Sequence, residues 1–192
     1  MRELVYYVSV SLDGRIAGPD DQFDAFLVEG DHLDRINDRW ADAIPTDVAA
    51  AVGITQHGTR FDTVLMGANT YAVGLPQMPS PYRHLQQYVF STRSYPDQEN
   101  LMVTAEDPVE LVRRLKSQPG LDIWLCGGGQ LAAQLVDEID RLVLKRQPML
   151  FGAGVDLFGD LGHRARHFDR VASTDYRSGV SISEYVPRTV AA

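Results

Sequence analysis

Asp122-Ile123-Trp124-Leu125-Cys126-Gly127-Gly128-Gly129-Gln130-Leu131 carries three local signals in succession. The apolar run Asp122 to Cys126 reads as a buried strand, and the three glycines read as a sharp turn. Gln130 to Glu138, with Leu131, Leu135 and Val136 facing inward, reads as a helix. Arg141 to Arg146 returns as another strand, so the stretch is a βαβ unit. The glycines also let backbone approach an anion such as a pyrophosphate, while the start of the helix offers free N–H groups. Taken in isolation, the same triple glycine is equally well explained as a tight turn.

Upstream, Leu4 to Val10 reads as an opening central strand that stops at the turn-forming pair Asp13-Gly14. Asp31 to Trp40 reads as a helix with Leu33, Ile36 and Trp40 at helical spacing behind an Asp31 N-cap, and Pro45-Thr46 starts a shorter helix through Val52. Phe61 to Met66, Gln87 to Phe90 and Leu101 to Val103 read as strands. Asp107-Pro108 opens a helix on Leu111, Val112 and Leu115 that Pro119-Gly120 ends. Downstream, His167 to Tyr176 and Val180 to Val186 read as a hairpin around Ser178-Gly179. The expected fold is therefore α/β: a mainly parallel sheet flanked by helices and closed by a C-terminal antiparallel hairpin, in one domain over residues 1–192. In such sheets ligands lie at the carboxyl ends of the strands.

Composition narrows the function classes. A formal net charge of −8, with no run of lysine or arginine, argues against nucleic acid and anionic membranes as partners. Apolar runs such as Ala49 to Val52 fall far short of the ~20 residues that cross a bilayer. A lone Cys126 and the absence of a signal-peptide pattern at Met1 point to a reducing, cytoplasmic setting.

Two further strand-to-loop junctions suit phosphate. Leu65-Met66-Gly67-Ala68-Asn69-Thr70-Tyr71 runs from a strand through glycine into a hydroxyl-bearing segment. Val89-Phe90-Ser91-Thr92-Arg93 places two hydroxyls and a guanidinium after a strand, a combination suited to a ribose 2'-phosphate. An N-cap at Asn69 or Thr70 explains the first equally well.

These segments, together with Val8 to Gly18 (VSVSLDGRIAG) and Pro148 to Gly154 (PMLFGAG), occur in one order. In that order they resemble the dihydrofolate-reductase-like superfamily, especially the C-terminal reductase domain of the bifunctional riboflavin-biosynthesis deaminase/reductase, from about Leu4 to Pro187. The resemblance implies a three-layer sandwich, a cytoplasmic homodimer and an NADPH-dependent oxidoreductase acting on a small molecule. Its reaction would be similar to 5-amino-6-(5-phosphoribosylamino)uracil reductase or dihydrofolate reductase. By the same resemblance Gly67, Ala68, Asn69 and Thr70, with Gly127, Gly128, Gly129, Gln130 and Leu131, would hold the NADPH phosphates. Ser91, Thr92 and Arg93 would recognise the 2'-phosphate, and Ile16 and Ala17 would lie near the nicotinamide. The chain departs from the family at Ala68, where a basic residue is frequent.

Hydride transfer also needs a proton. Folate reductases use a carboxylate on the first helix, reached through a Trp and a Pro in the preceding loop, and this chain lacks that loop signature, which argues against dihydrofolate as substrate. Asp13, with Ser11 beside it, is the catalytic candidate facing the substrate, and Glu29 and Asp31 occupy the neighbourhood of the folate-type acid. Asp13 also suits a turn, and Asp31 a helix cap. Without a proton donor, the alternative is a non-catalytic NADPH-binding sensor or binding module.

Two other readings carry less. Gly127 to Ala132 matches the G-x-G-x-x-[GA] dinucleotide fingerprint, but only about sixty residues follow where a Rossmann domain needs further βα units. His163 and His167 have no third metal ligand nearby, so no metal is expected. No zinc-binding deaminase set accompanies the reductase-like segment, so riboflavin synthesis does not follow from the resemblance.

Overall fold

The computed structural model describes residues 1–188, so the last four of the 1–192 domain expectation lie outside the described residues. One eight-stranded sheet runs β5 (Leu101–Thr104), β4 (Gln86–Phe90), β3 (Phe61–Gly67), β6 (Asp122–Gly127), β1 (Leu4–Val10), β7 (Arg141–Arg146), β10 (Ser181–Pro187), β9 (Phe168–Asp175). The first six are mutually parallel, whereas β10 is antiparallel to both β7 and β9. This is the mixed α/β sheet with a closing antiparallel hairpin that the patterning implies. The hairpin turns at Gly179, which takes φ +85° and donates to the Tyr176 carbonyl.

Period-two alternation along β1 separates two cores. Leu4, Tyr6, Val8 and Val10 face α4 (Pro108–Lys116) and α5 (Gly129–Gln134), meeting Leu111, Leu115, Leu131 and Leu135. Val5 and Tyr7 face the opposite way, into a cluster with Trp40, Phe61, Trp124 and Tyr71. Helices therefore cover both faces, with α1 (His32–Arg39), α2 (Thr46–Ala51) and α3 (Ala68–Ala72) completing the set. Tyr7 and Trp40 stack at 4.6 Å and 14°, so this second core is bound largely by aromatic surface.

Several local details differ from the sequence reading. Asp107 caps α4 by accepting from Val109 and Glu110 N–H, but Asp31 does not cap α1. Its carboxylate instead accepts from the N–H groups of Arg177 (2.9 Å) and Ser178 (3.1 Å), fastening the helix start to the hairpin turn. The wholly buried residue in the first turn of α1 is His32, bonded to the Ser178 hydroxyl, while Leu33 is only half-buried. The helix expected to reach Glu138 ends at Gln134, where the chain tightens into i to i+3 turns, although Leu135, Val136 and Ile139 remain in the core. A second, two-stranded sheet pairs β2 (Arg15–Ala17) with β8 (Val155–Asp156), which the sequence reading did not anticipate.

Candidate active site

The parallel strands end together, and a cleft of about 1500 Å³ opens across their carboxyl ends. Because β3 pairs directly with β6, the two glycine junctions lie side by side: Met66 is in register with Gly127. A Cβ on Gly67 would stand 3.5 Å from the amide nitrogen of Gly128, and one on Gly128 would stand 3.3 Å from the Thr70 hydroxyl. Gly127 takes φ +140°, a conformation that side-chain-bearing residues rarely adopt. Gly127 to Leu131 and Gly67 to Thr70 thus form one continuous wall.

The next strand supplies Ser91, Thr92 and Arg93, which line the same cleft. The Arg93 N–H donates to the Ser91 hydroxyl at 2.9 Å, shaping the loop, and the Arg93 side chain is exposed. Across from it, Glu106 is paired with Arg114, and Asp107 is occupied by its helix cap. The two acidic groups at this rim are therefore neutralised or hydrogen-bonded.

Ile16 and Ala17 lie at the other end, on β2. Their strand is held by β8, by the Arg15–Asp156 ion pair, and by close contact with Gly154, where a Cβ would meet the Ala17 carbonyl. The Gly159 N–H donates to the Gly129 carbonyl at 2.9 Å, joining this roof to α5. Beyond Ala17 the cleft continues past Asp21, Phe23, Pro45, Met78 and Tyr82 to Cys126. The Tyr82 hydroxyl lies 3.9 Å from the Cys126 sulfur. Burial pushes the Tyr82 phenol well above its usual value and the Cys126 thiol up to about 11, so both are neutral near pH 7. Sequence reading did not single out this half of the cleft, since its aromatic and apolar residues carry no motif.

All fourteen residues expected to meet the cofactor line this one cleft: Ile16, Ala17, Gly67 to Thr70, Ser91 to Arg93 and Gly127 to Leu131. Asp13, Glu29 and Asp31 are not among its lining residues. The Asp13 carboxylate accepts from the Ser11 hydroxyl and from the N–H groups of Phe151 (3.2 Å) and Gly152 (2.8 Å). These bonds, led by that from Ser11, hold Asp13 down at about 2, so it is a carboxylate at neutral pH and an acceptor tying two loops together. Ser11 is buried and also accepts from the Arg15 N–H. Glu29 is exposed, and backbone bonds from Arg177 and Ser178 lower Asp31.

A family model, the RibD C-terminal domain, matches residues 2–182. The chain belongs to the RibD C-terminal domain family. Its similarity extends to uncharacterized protein YwjB of Bacillus subtilis (strain 168), 31% identical over 173 residues that span 86% of this chain and 87% of that protein. Among solved structures, a putative riboflavin biosynthesis protein from Shewanella sp. PV-4 superimposes with a TM-score of 0.69 at 23% identity, covering 98% of this chain and all of that one. The dihydrofolate reductase of Enterococcus faecalis, complexed with NADP(H), gives 0.64 at 13% identity, covering 97% of both chains. This RibD C-terminal domain therefore has the dihydrofolate-reductase-like fold. Among the described residues, no helix is long and apolar enough to cross a membrane.

Proposed function

We propose that this chain is an NADPH-dependent reductase that transfers hydride to a small polar substrate, pterin-like or ribosylaminopyrimidine-like, and works as a cytoplasmic homodimer. The observation that carries the reading is the adjacency of Gly67–Thr70 and Gly127–Leu131 on neighbouring parallel strands, with Ser91–Arg93 one strand further on. The residues fit a dinucleotide. The first-turn amides of α3 and α5 have no acceptor within their own helices, and the glycines leave the backbone uncovered. The cleft exceeds the 300–1,000 Å³ or so of a single small-ligand pocket, leaving room for a second molecule beside the cofactor.

In this reading the two glycine junctions hold the phosphates, Arg93 with Ser91 and Thr92 pairs with the 2'-phosphate, and Ile16 and Ala17 flank the nicotinamide. The bound dinucleotide supplies the hydride. The chain's own contribution is to orient the ring and keep water out.

Calorimetric titration with NADPH and, separately, NADH tests the assignment. Micromolar NADPH affinity with much weaker NADH is expected, and binding of neither would overturn it. One observation favours a binding module instead: Asp13, Glu29 and Asp31 all lie outside the cleft. A protein that binds NADPH tightly yet oxidises it with no pterin or pyrimidine acceptor would be that module.

A further inference from the structure

Charge is distributed unevenly over the walls of the cleft. Of the described residues that line it, Arg93 is the one with a cationic side chain, against Asp21, Glu106, Asp107, Asp156 and Asp160. Three of these acids are engaged: Glu106 by Arg114, Asp156 by Arg15, and Asp107 by the N–H groups of Val109 and Glu110. Arg93 belongs to the nucleotide end, where the 2'-phosphate takes it in the reading above. No lining cation is then left for a molecule that binds beside the dinucleotide.

The surfaces that such a molecule meets are held in place by bonds behind them. After β2 the Gly18 N–H donates to the Gln22 carbonyl at 2.8 Å and the Asp21 N–H to the Gly18 carbonyl at 3.2 Å. This tight turn keeps Asp21 and Phe23 close to Ala17 in the cleft wall. A second wall comes from the segment before β4. The Thr46 N–H donates to the Pro81 carbonyl at 2.8 Å, which sets Pro45 beside Tyr82. The Tyr82 N–H donates to Oε1 of the fully buried Gln87 at 3.1 Å, and Gln87 Nε2 donates in turn to the Ser80 hydroxyl at 2.8 Å. The Tyr82 ring stands edge-on to Trp124, with ring centres 4.8 Å apart at 79°. Tyr82 and Cys126 thus pack on the aromatic face of the sheet, whereas Leu131 and Ala132 of α5 pack on the other.

Phe23, Pro45, Met66 and Met78 make the rest of this end apolar. The Tyr82 hydroxyl has one side-chain partner among the described residues, the Cys126 sulfur at 3.9 Å, a weak acceptor that leaves the O–H able to donate. Burial keeps the phenol protonated. A phosphate brought against these walls would lose water, gain no cation and meet the formal charge of Asp21, an unfavourable exchange. We propose that the end of the cleft beyond Ala17 takes an uncharged, unphosphorylated, flat conjugated molecule, and that the Tyr82 hydroxyl selects it by donating a hydrogen bond to a ring nitrogen or carbonyl oxygen. The assignment rests on the reductase reading and narrows it: a pterin-like or dephosphorylated ring compound is retained as substrate, and a phosphoribosyl ester is not.

Riboflavin and its 5'-phosphate, FMN, are a flat conjugated pair that differ by one phosphate, and pterin is a smaller uncharged probe. Each is titrated calorimetrically into the full chain saturated with NADP+, so that nothing turns over. Riboflavin should bind more tightly than FMN by about tenfold or more, and pterin should bind as well. Tyr82→Phe keeps the ring and removes the hydroxyl, so it should weaken riboflavin and pterin by about five- to tenfold and leave NADP+ affinity unchanged. FMN binding as tightly as riboflavin, no binding of either uncharged probe, or undiminished riboflavin and pterin affinity in Tyr82→Phe would overturn the assignment. The ratio of riboflavin to FMN affinity is read on the wild-type chain and stands whether or not the variant folds. Failure of NADP+ to bind the wild-type chain would strike the reductase reading instead, and the probes are then titrated without it.

Discussion

Gly129→Ala tests whether the cleft wall depends on a contact only glycine allows. A Cβ at position 129 would stand 2.1 Å from the Asp156 carbonyl oxygen and 3.1 Å from the Gly159 nitrogen. The first is over an ångström short of the 3.4 Å at which ordinary contact begins, and the obstacle is backbone rather than a movable side-chain tip. Either α5 or the 155–160 segment must shift, and the 2.9 Å bond from Gly159 to the Gly129 carbonyl is strained with it. Overpacking costs about 1–3 kcal/mol and a lost backbone bond about 1 kcal/mol, so about 2–4 kcal/mol is expected. For a chain of this length that lowers the melting temperature by about 5–15 °C. Gly58→Ala is the control: it has φ +58° and nothing within 4 Å, so only the cost of the left-handed conformation, about 1 kcal/mol, applies. Thermal melts followed by circular dichroism, with NADPH calorimetry below the transition, read both consequences. Gly129→Ala should also weaken NADPH, because the Gly129 and Gln130 amides move with α5. A melt within about 2 °C of wild type, with NADPH affinity intact, would refute the packing argument.

Arg93→Ala should weaken NADPH by about tenfold or more and leave NADH nearly unchanged, since one charge-assisted pair is removed; equal losses by calorimetry would contradict its selective role. Asp13 has a folded value of about 2, below that of an unfolded carboxylate at about 4, so its stabilisation is present above pH 4 and is lost as pH falls through 2. Melts across that window should show wild type declining relative to Asp13→Asn, and parallel curves would show that the Ser11 and Gly152 bonds contribute nothing. Trp40 is 1% exposed, stacks on Tyr7 and Phe61 and lies beneath the guanidinium of Arg60, so Trp40→Ala should cost about 3–5 kcal/mol in urea denaturation. A loss below about 1 kcal/mol would mean that the aromatic cluster repacks.

The parts of the fold that sequence reveals are those set by local periodicity. The β-branched and aromatic run of Leu4–Val10 and the apolar run of Phe61–Met66 each mark a strand without reference to the rest of the chain. The β2–β8 pair escapes such reading because three residues and two carry no period, and their pairing depends on an Arg15–Asp156 contact between segments 141 positions apart. His32 and Asp31 mislead for a related reason. Hydropathy sends histidine outward and reads an aspartate before a helix as its cap, whereas both side chains are used by the distant hairpin turn at 176–179.

The same distinction runs through the cleft. Its half at the glycine junctions is made by backbone, and backbone demands leave a mark: Gly127 needs its φ of +140°, Gly129 its missing Cβ, and both surface in the sequence as a glycine run after an apolar strand. Its other half is made by side chains contributed singly, Met66 from β3, Cys126 from β6, and Phe23, Pro45, Met78 and Tyr82 from connecting segments. Each contribution matches an unremarkable pattern, Phe23 and Tyr82 loop aromatics, Met78 a loop apolar residue. Only the fold, which brings the Tyr82 hydroxyl to 3.9 Å from the Cys126 sulfur, makes them one surface. Substitution at the glycine junctions should therefore change whether a dinucleotide binds. Substitution at Phe23 or Tyr82 should change which small molecule binds beside it, with the dinucleotide unaffected. A glycine-junction variant that altered probe preference while keeping full NADPH affinity would show that the two halves are not separate in this way.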